Sequence, residues 1–258
     1  MLDPKYFHTL GYTPTKDCLK NKTILVTGAG SGIGKTAAKT YAAHGATVIL
    51  LGKTSKKLEA TYDEILAENG ADTAAEPAIY PMDLLGANPD DYQNLAKVIE
   101  ENYGQLDGLL NNASLLGNLS PIANQNIELW YKVQQVNLNA PFMLTQACLG
   151  LLNKAPNASI IFTSSGVARV GRAYWGAYSV SKFATEGLSQ ILADELETNT
   201  KVRSNCINPG ATRTSMRANA YPGEDPMTLK TPEELMPLYL YLMSDDSKDI
   251  SGQSLDAQ

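Results

Sequence analysis

Cysteine, histidine and surplus positive charge are all scarce in this chain of 258 residues. Cys18, Cys148 and Cys206 are odd in number, widely spaced and form no C-x-x-C pair, so neither a disulfide framework nor a zinc site is expected. His8 and His44 are too isolated to bind a metal, and none is expected. Lys plus Arg number 21 against 27 Asp plus Glu, a net charge of -6, which argues against a general nucleic-acid binder with its clustered basic surplus. Long hydrophobic runs are missing as well. The longest uncharged stretch, Val133–Asn153, carries Gln134, Gln135, Asn137, Asn139 and Gln146, and reads as helix rather than a membrane span. Met1–Asp17 shows no positively charged start followed by an apolar stretch, so a cytoplasmic protein without a membrane partner is expected.

What is present is ordinary globular composition, 43% hydrophobic and 19% charged. A compact chain of this size buries roughly 70–75% of its unfolded surface and needs no disulfide or metal to hold its core. One domain over 21–258 is expected, preceded by an extension over 1–20. Short β-rich apolar runs alternate with helical patterns: strands at Thr23–Val26, Ala46–Leu51, Pro77–Tyr80, Leu106–Leu110, Ser159–Phe162 and Val202–Ile207, with helices between them. The last long helix is expected over Tyr178–Thr198, and a final one is capped by Thr231 with Pro232 and Glu234. Such alternation implies an α/β, Rossmann-like, doubly wound parallel sheet of about seven strands with helices on both faces. Segment 212–230, with two prolines and a glycine, is the expected mobile loop over the substrate. In these sheets ligands bind beyond the carboxyl ends of the strands, which is where chemistry is sought.

The first strand runs directly into Thr27-Gly28-Ala29-Gly30-Ser31-Gly32-Ile33-Gly34 and then a helix. Glycines there let the backbone approach a pyrophosphate, whose charge meets free N–H groups and the positive end of the helix. The stretch Ala29-x-x-x-x-Gly34-Lys35-Thr36 also comes within one residue of an ATP-binding loop, with Ile79–Asp83 as a candidate Mg²⁺-holding strand. The turn alone does not choose between the two. At the end of the second strand a carboxylate commonly marks NAD and a cation NADP. Here the strand ends Leu51-Gly52-Lys53-Thr54, and Lys53 with the Thr54 and Ser55 hydroxyls favours NADP(H), NAD(H) remaining possible. A plain surface-lysine cluster with Lys56 and Lys57 is the other reading.

Tyr178 and Lys182 open the long helix one turn apart on the same face. A tyrosine titrating near 10 is a poor acid-base catalyst at neutrality. A lysine charge about 4 Å away favours the phenolate by roughly 4 kcal/mol at an effective dielectric of 20, at most about three pKa units. Ser164 and Ser165 follow an apolar strand, where a hydroxyl reaches the same ligand atom.

With these residues assembled, the chain resembles the short-chain dehydrogenase/reductase family, classical type. The family's marks stand in order over about 23–258: the Thr27–Gly34 turn, Asp83-Leu84, Asn111-Asn112-Ala113-Ser114, Asn137, Ser165, Tyr178 with Lys182, and Pro209-Gly210-Ala211-Thr212-Arg213-Thr214. Together they displace the ATPase reading. The resemblance implies that Tyr178 exchanges a proton with the substrate oxygen, Ser165 polarises that oxygen, and Lys182 holds the nicotinamide ribose and lowers the tyrosine pKa. Asn137 would position a relay water; taken alone it reads as a helix-end cap. Gly28, Gly30, Ser31, Gly32, Ile33 and Gly34 would cradle the pyrophosphate. Asp83 and Leu84 would meet the adenine, Asn112 and Ala113 a ribose, and Thr212 and Thr214 the carboxamide, with Pro209 and Gly210 in the same cofactor-binding segment.

Departures are Ser114 where the family usually has glycine, Ser31 where many NADP-preferring members carry a basic residue, and a C-terminal Ser251–Asp256 strand without the frequent following Gly-Gly. The two chain ends, Leu115-Leu116-Gly117, Gly176-Ala177 and Asn205–Gly210 resemble the bacterial YciK-type oxidoreductases. A small carbonyl compound or secondary alcohol is the implied substrate, and a homodimer or homotetramer the implied assembly. Leu115, Leu116, Val170, Tyr174, Trp175, Met216, Tyr221 and Met227 suggest an apolar pocket mouth; Arg169, Arg172 and Arg213 would instead suit an acid group. An NADP-dependent carbonyl reductase is the first expectation. An NAD-dependent alcohol dehydrogenase and a non-catalytic dinucleotide sensor are the alternatives, the latter motivated by Ser114 and the lack of a substrate signal.

Overall fold

A computed structural model describes residues 11–69 and 76–258. Seven parallel strands form one sheet in the order β3-β2-β1-β4-β5-β6-β7. The strands are β1 (Thr23–Thr27), β2 (Thr47–Gly52), β3 (Ala78–Pro81), β4 (Gly108–Asn111), β5 (Ser159–Thr163), β6 (Arg203–Asn208) and β7 (Ser254–Asp256). Helices cross between them: α1 (Gly32–Ala43), α2 (Ser55–Asn69), α3 (Pro89–Tyr103), α4 (Ile127–Gln134), α5 (Ala140–Leu152), α6 (Gly176–Glu197), α7 (Ser215–Ala220) and α8 (Met236–Met243).

The continuous apolar strands are explained by burial on both faces. Ile24 and Val26 of β1 pack on one side with Ala37 and Tyr41 of α1 and Met243 of α8. Leu25 between them faces the other way, into a core with Leu95 and Ile99 of α3, Leu144 of α5 and Leu192 of α6. β1 pairs with β2 on one side and β4 on the other, so the strand order reverses at β1/β4. A crevice opens at such a reversal.

Strand boundaries run one residue or so past the sequence reading, because pairing continues while a neighbour can ladder. Gly52 of β2, for example, still pairs Pro81 of the edge strand β3, a position that tolerates proline. The stretch Val133–Asn153 is helical, but not continuously so: a π-helical turn over Gln135–Asn139 separates α4 from α5. None of the helices among the described residues is long and apolar enough to cross a membrane. The expected start of the last helix is also modified. Glu234 accepts from the Thr231 backbone N–H at 2.7 Å, as a capping box requires, but Glu233–Leu235 is 3-10 and the α-helix begins only at Met236. Cys18, Cys148 and Cys206 are free, and His8 lies outside the described residues.

Candidate active site

The β1–α1 turn forms the floor of a groove. Gly28 is left-handed, at φ +70°, and a Cβ there would lie 3.1 Å from the Ala113 backbone, so both conformation and space demand glycine. Ser31 caps α1 with extended backbone but makes no side-chain cap bond, and the first turn holds no acidic residue. The positive helix end therefore faces the groove without a compensating carboxylate. Across the crevice, the Thr27 hydroxyl accepts from the N–H groups of Asn112 (2.9 Å) and Ala113 (3.0 Å) and donates to Leu110 O, locking the ends of β1 and β4 together.

Gly34 plays a different part from the one expected. It does not line the groove; a Cβ there would meet Asn112 Nδ2 and Gly28 O at 2.5 Å. It is a packing glycine that lets α1 sit against the turn. Lys35 also points elsewhere, to Glu64 at 2.6 Å, with Lys39 on the same carboxylate at 3.0 Å. The lysine an ATP-binding loop needs is thus committed to the outer face of α1. Lys53, Thr54 and Lys57 do line the groove, as do Asp83 and Leu84.

The other end of the groove lies beyond β5. There Tyr178 and Lys182 of α6 project from the buried face, 8% and 3% exposed. The Lys182 ammonium donates to Thr163 O at 2.7 Å and lies 5.5 Å from the Tyr178 ring centroid. Desolvation dominates both groups. Burial pulls Lys182 down to about 8 and pushes Tyr178 up to about 12, the Ser165 hydroxyl drawing the phenol back only in part. Desolvation thus sets the direction of the Tyr178 shift, opposed by the Ser165 hydroxyl. At neutral pH the phenol keeps its proton.

Both neighbouring serines border the groove, but the Ser164 hydroxyl is committed to Glu186, to which it donates at 2.6 Å. Asn137 sits in the π turn behind the groove wall. Its side chain accepts from Leu115 N (2.7 Å) and donates to Leu115 O (2.9 Å) and Ser181 Oγ (3.0 Å), while Thr185 donates to its carbonyl at 3.3 Å. Rather than capping a helix end, the Asn137 side chain clamps the loop after β4. The Ser114 hydroxyl is buried beside the groove without a hydrogen-bond partner among the described residues.

Pro209, Gly210, Thr212 and Thr214 follow β6 along the same wall. Segment 212–230, expected to be mobile, is cross-tied: Thr212 bridges to Lys230, Arg213 donates to Pro226 O (2.8 Å) and Leu229 O (3.2 Å), and Arg217 forks onto Glu224. Leu115, Leu116, Trp175 and Met216 line the cavity, while Val170, Tyr174 and Met227 are exposed outside it. Arg169 is committed to Asp256 at 2.9 Å. Residues the sequence did not flag are Thr163, whose carbonyl holds Lys182, and Arg217, whose partner lies seven residues on; neither carries a local signal.

A single cavity of about 810 Å³ thus joins the glycine turn to Ser165, Tyr178 and Lys182. The family model for short chain dehydrogenases matches residues 22–225. The chain belongs to the short-chain dehydrogenase family. This short-chain dehydrogenase is 53% identical over 247 residues to the oxidoreductase YciK of Escherichia coli (strain K12), covering 96% of each chain. A short-chain dehydrogenase from Salmonella enterica superposes with a TM-score of 0.92 at 53% identity, covering 96% of this chain and 100% of that one. Another, from Escherichia coli CFT073 complexed with NADPH, gives 0.91 at 53% identity over 95% and 100%. The protein is accordingly a classical, YciK-like oxidoreductase.

Proposed function

We propose that this oxidoreductase reduces a carbonyl compound with NADPH, Tyr178 giving the proton. The observation that carries the reading is the convergence of Tyr178, Lys182 and Ser165 on a cavity continuous with the uncompensated N-terminus of α1. The residues fit the cofactor. The turn is open to a pyrophosphate, and the end of β2 offers Lys53 and Thr54 with no carboxylate to repel a 2′-phosphate. The relative from E. coli CFT073 was solved with NADPH, which supports the same choice. Bound there, NADPH supplies a hydride to the carbonyl carbon.

The protein's own residues handle the oxygen. As the C=O bond is reduced, charge develops on oxygen, and the Ser165 hydroxyl donates a hydrogen bond to it. The Tyr178 phenol, kept protonated by burial, transfers its proton to that oxygen and completes the alcohol. The Lys182 ammonium, anchored on Thr163 O, stabilises the phenolate left behind and holds the nicotinamide ribose. Asn137 fixes the Leu115 backbone that walls the site. Exposed Phe142 on α5 and Phe183 and Ile191 on α6 support a homodimer built on those helices.

Tyr178→Phe is expected to abolish NADPH-dependent turnover of a carbonyl panel while leaving NADPH affinity, read by nicotinamide fluorescence, within about twofold. Undiminished turnover contradicts the role of Tyr178.

A further inference from the structure

Beside Ser165 a second cavity of about 420 Å³ opens between the loop after β5 and the loop after β6. It shares Ser165, Trp175 and Arg217 with the main groove, so a ligand whose carbonyl lies at Ser165 extends into it. Its walls are aromatic. Trp175 sits between Tyr178 (5.7 Å between centroids) and Tyr221 (5.9 Å), tilted against both, and the Arg217 guanidinium lies 3.8 Å above the Tyr221 ring.

The polar groups of this cavity can be accounted for one by one. Arg217 is neutralised by its fork onto Glu224, two bonds of 2.6 Å. Asn208 donates to Asp256 at 2.8 Å and accepts from Gly210 N at 3.1 Å. Among the described residues no carboxylate lines the cavity. What is left for a ligand is the Ser165 hydroxyl at one end and Arg172, the one lining cation that forms neither an ion pair nor a hydrogen bond through its side chain among the described residues. Arg172 belongs to a turn held in shape. Tyr174 is left-handed at φ 76° without being glycine, and Ser120 N donates to its carbonyl at 3.0 Å. Such strain persists only where the surroundings impose it, and it clusters at ligand sites. Arg169 and Arg213, the other arginines that could have met an acid, are spent on Asp256 and on the loop carbonyls.

We infer that the substrate is a carbonyl compound with an apolar, ring-sized body and a carboxylate, the body lying in the side cavity against the Trp175 and Tyr221 rings and the carboxylate on Arg172. A planar guanidinium fork matches a carboxylate with two parallel bonds, and Arg172, exposed at the mouth of the cavity, is open to a ligand that enters from solvent. The inference rests on the carbonyl-reductase reading above.

The test uses the full chain with NADPH and a ladder of aryl keto acids of increasing carbonyl-to-carboxylate spacing, each paired with its methyl ester. At least one acid is expected to exceed its ester about tenfold in kcat/KM, a ratio that collapses to about one in Arg172→Gln and survives in part in Arg172→Lys. Equal values for acids and esters along the ladder overturn the inference, as does an acid preference that Arg172→Gln leaves intact. Where nothing turns over, quenching of bound NADPH fluorescence separates the two claims. Acid binding weakened in Arg172→Gln upholds the carboxylate site and contradicts hydride transfer; tight NADPH with no acid response overturns the site.

Discussion

Burial strips the Lys182 ammonium of water, and the neighbouring Cys206 offsets only part of the loss, so the group titrates near 8 rather than 10.5. The unfolded chain therefore holds this proton between about pH 8 and 10.5 while the native chain has released it, and stability must rise with pH across that window. Measured against Lys182→Met, the wild type is expected to gain up to about 3 kcal/mol as pH rises through it, read by urea unfolding at each pH. A flat difference contradicts the burial account. Tyr178 stays protonated throughout, since its shift lies upward to about 12. Part of this was legible in the sequence: a four-residue spacing puts phenol and ammonium on one helix face wherever the helix goes. The balance between attraction and desolvation was not, because it depends on α6 being pressed against β5 by the rest of the fold. For the same reason sequence alone does not say that the Ser164 hydroxyl is committed to Glu186.

At the scale of elements, the π turn over Gln135–Asn139 is the feature that shapes the site wall. An extra residue in the helical turn is typical of functional sites, and here it accompanies the bonding of Asn137 to both polar groups of the Leu115 backbone. Asn137→Ala leaves that N–H and C=O without their partners and Ser181 without one of its own. A loss of about 2–4 kcal/mol in urea unfolding is expected, with a fall in kcat for any carbonyl substrate. Unchanged stability would show that the loop after β4 does not need the clamp. The uncharged run announced a helix, but a π turn has no compositional mark; it is set by the loop that Asn137 must reach. The strands were legible from short apolar runs bounded by turn residues. Their last residues depended on which neighbour offered a ladder, as at Gly52 and Pro81.

Over the whole molecule, the fold's contribution is the reversal of strand order at β1/β4, which leaves a crevice between the glycine turn and Asn112-Ala113 and runs it to Tyr178. The parallel sheet was readable from the alternation of elements, and the groove from the motifs that follow each strand. The side cavity was not, because its wall is assembled from the loop after β5, the loop after β6 and α7, with Arg217 tied to Glu224 and Arg172 left unpaired. The central claim is that the groove selects NADPH. It is tested most directly by titrating the wild type and Lys53→Ala with NADPH and with NADH, following nicotinamide fluorescence. NADPH is expected to bind at least about tenfold more tightly than NADH, and Lys53→Ala to erase most of that difference by weakening NADPH alone. Equal affinities in the wild type, or a preference for NADH, contradict it.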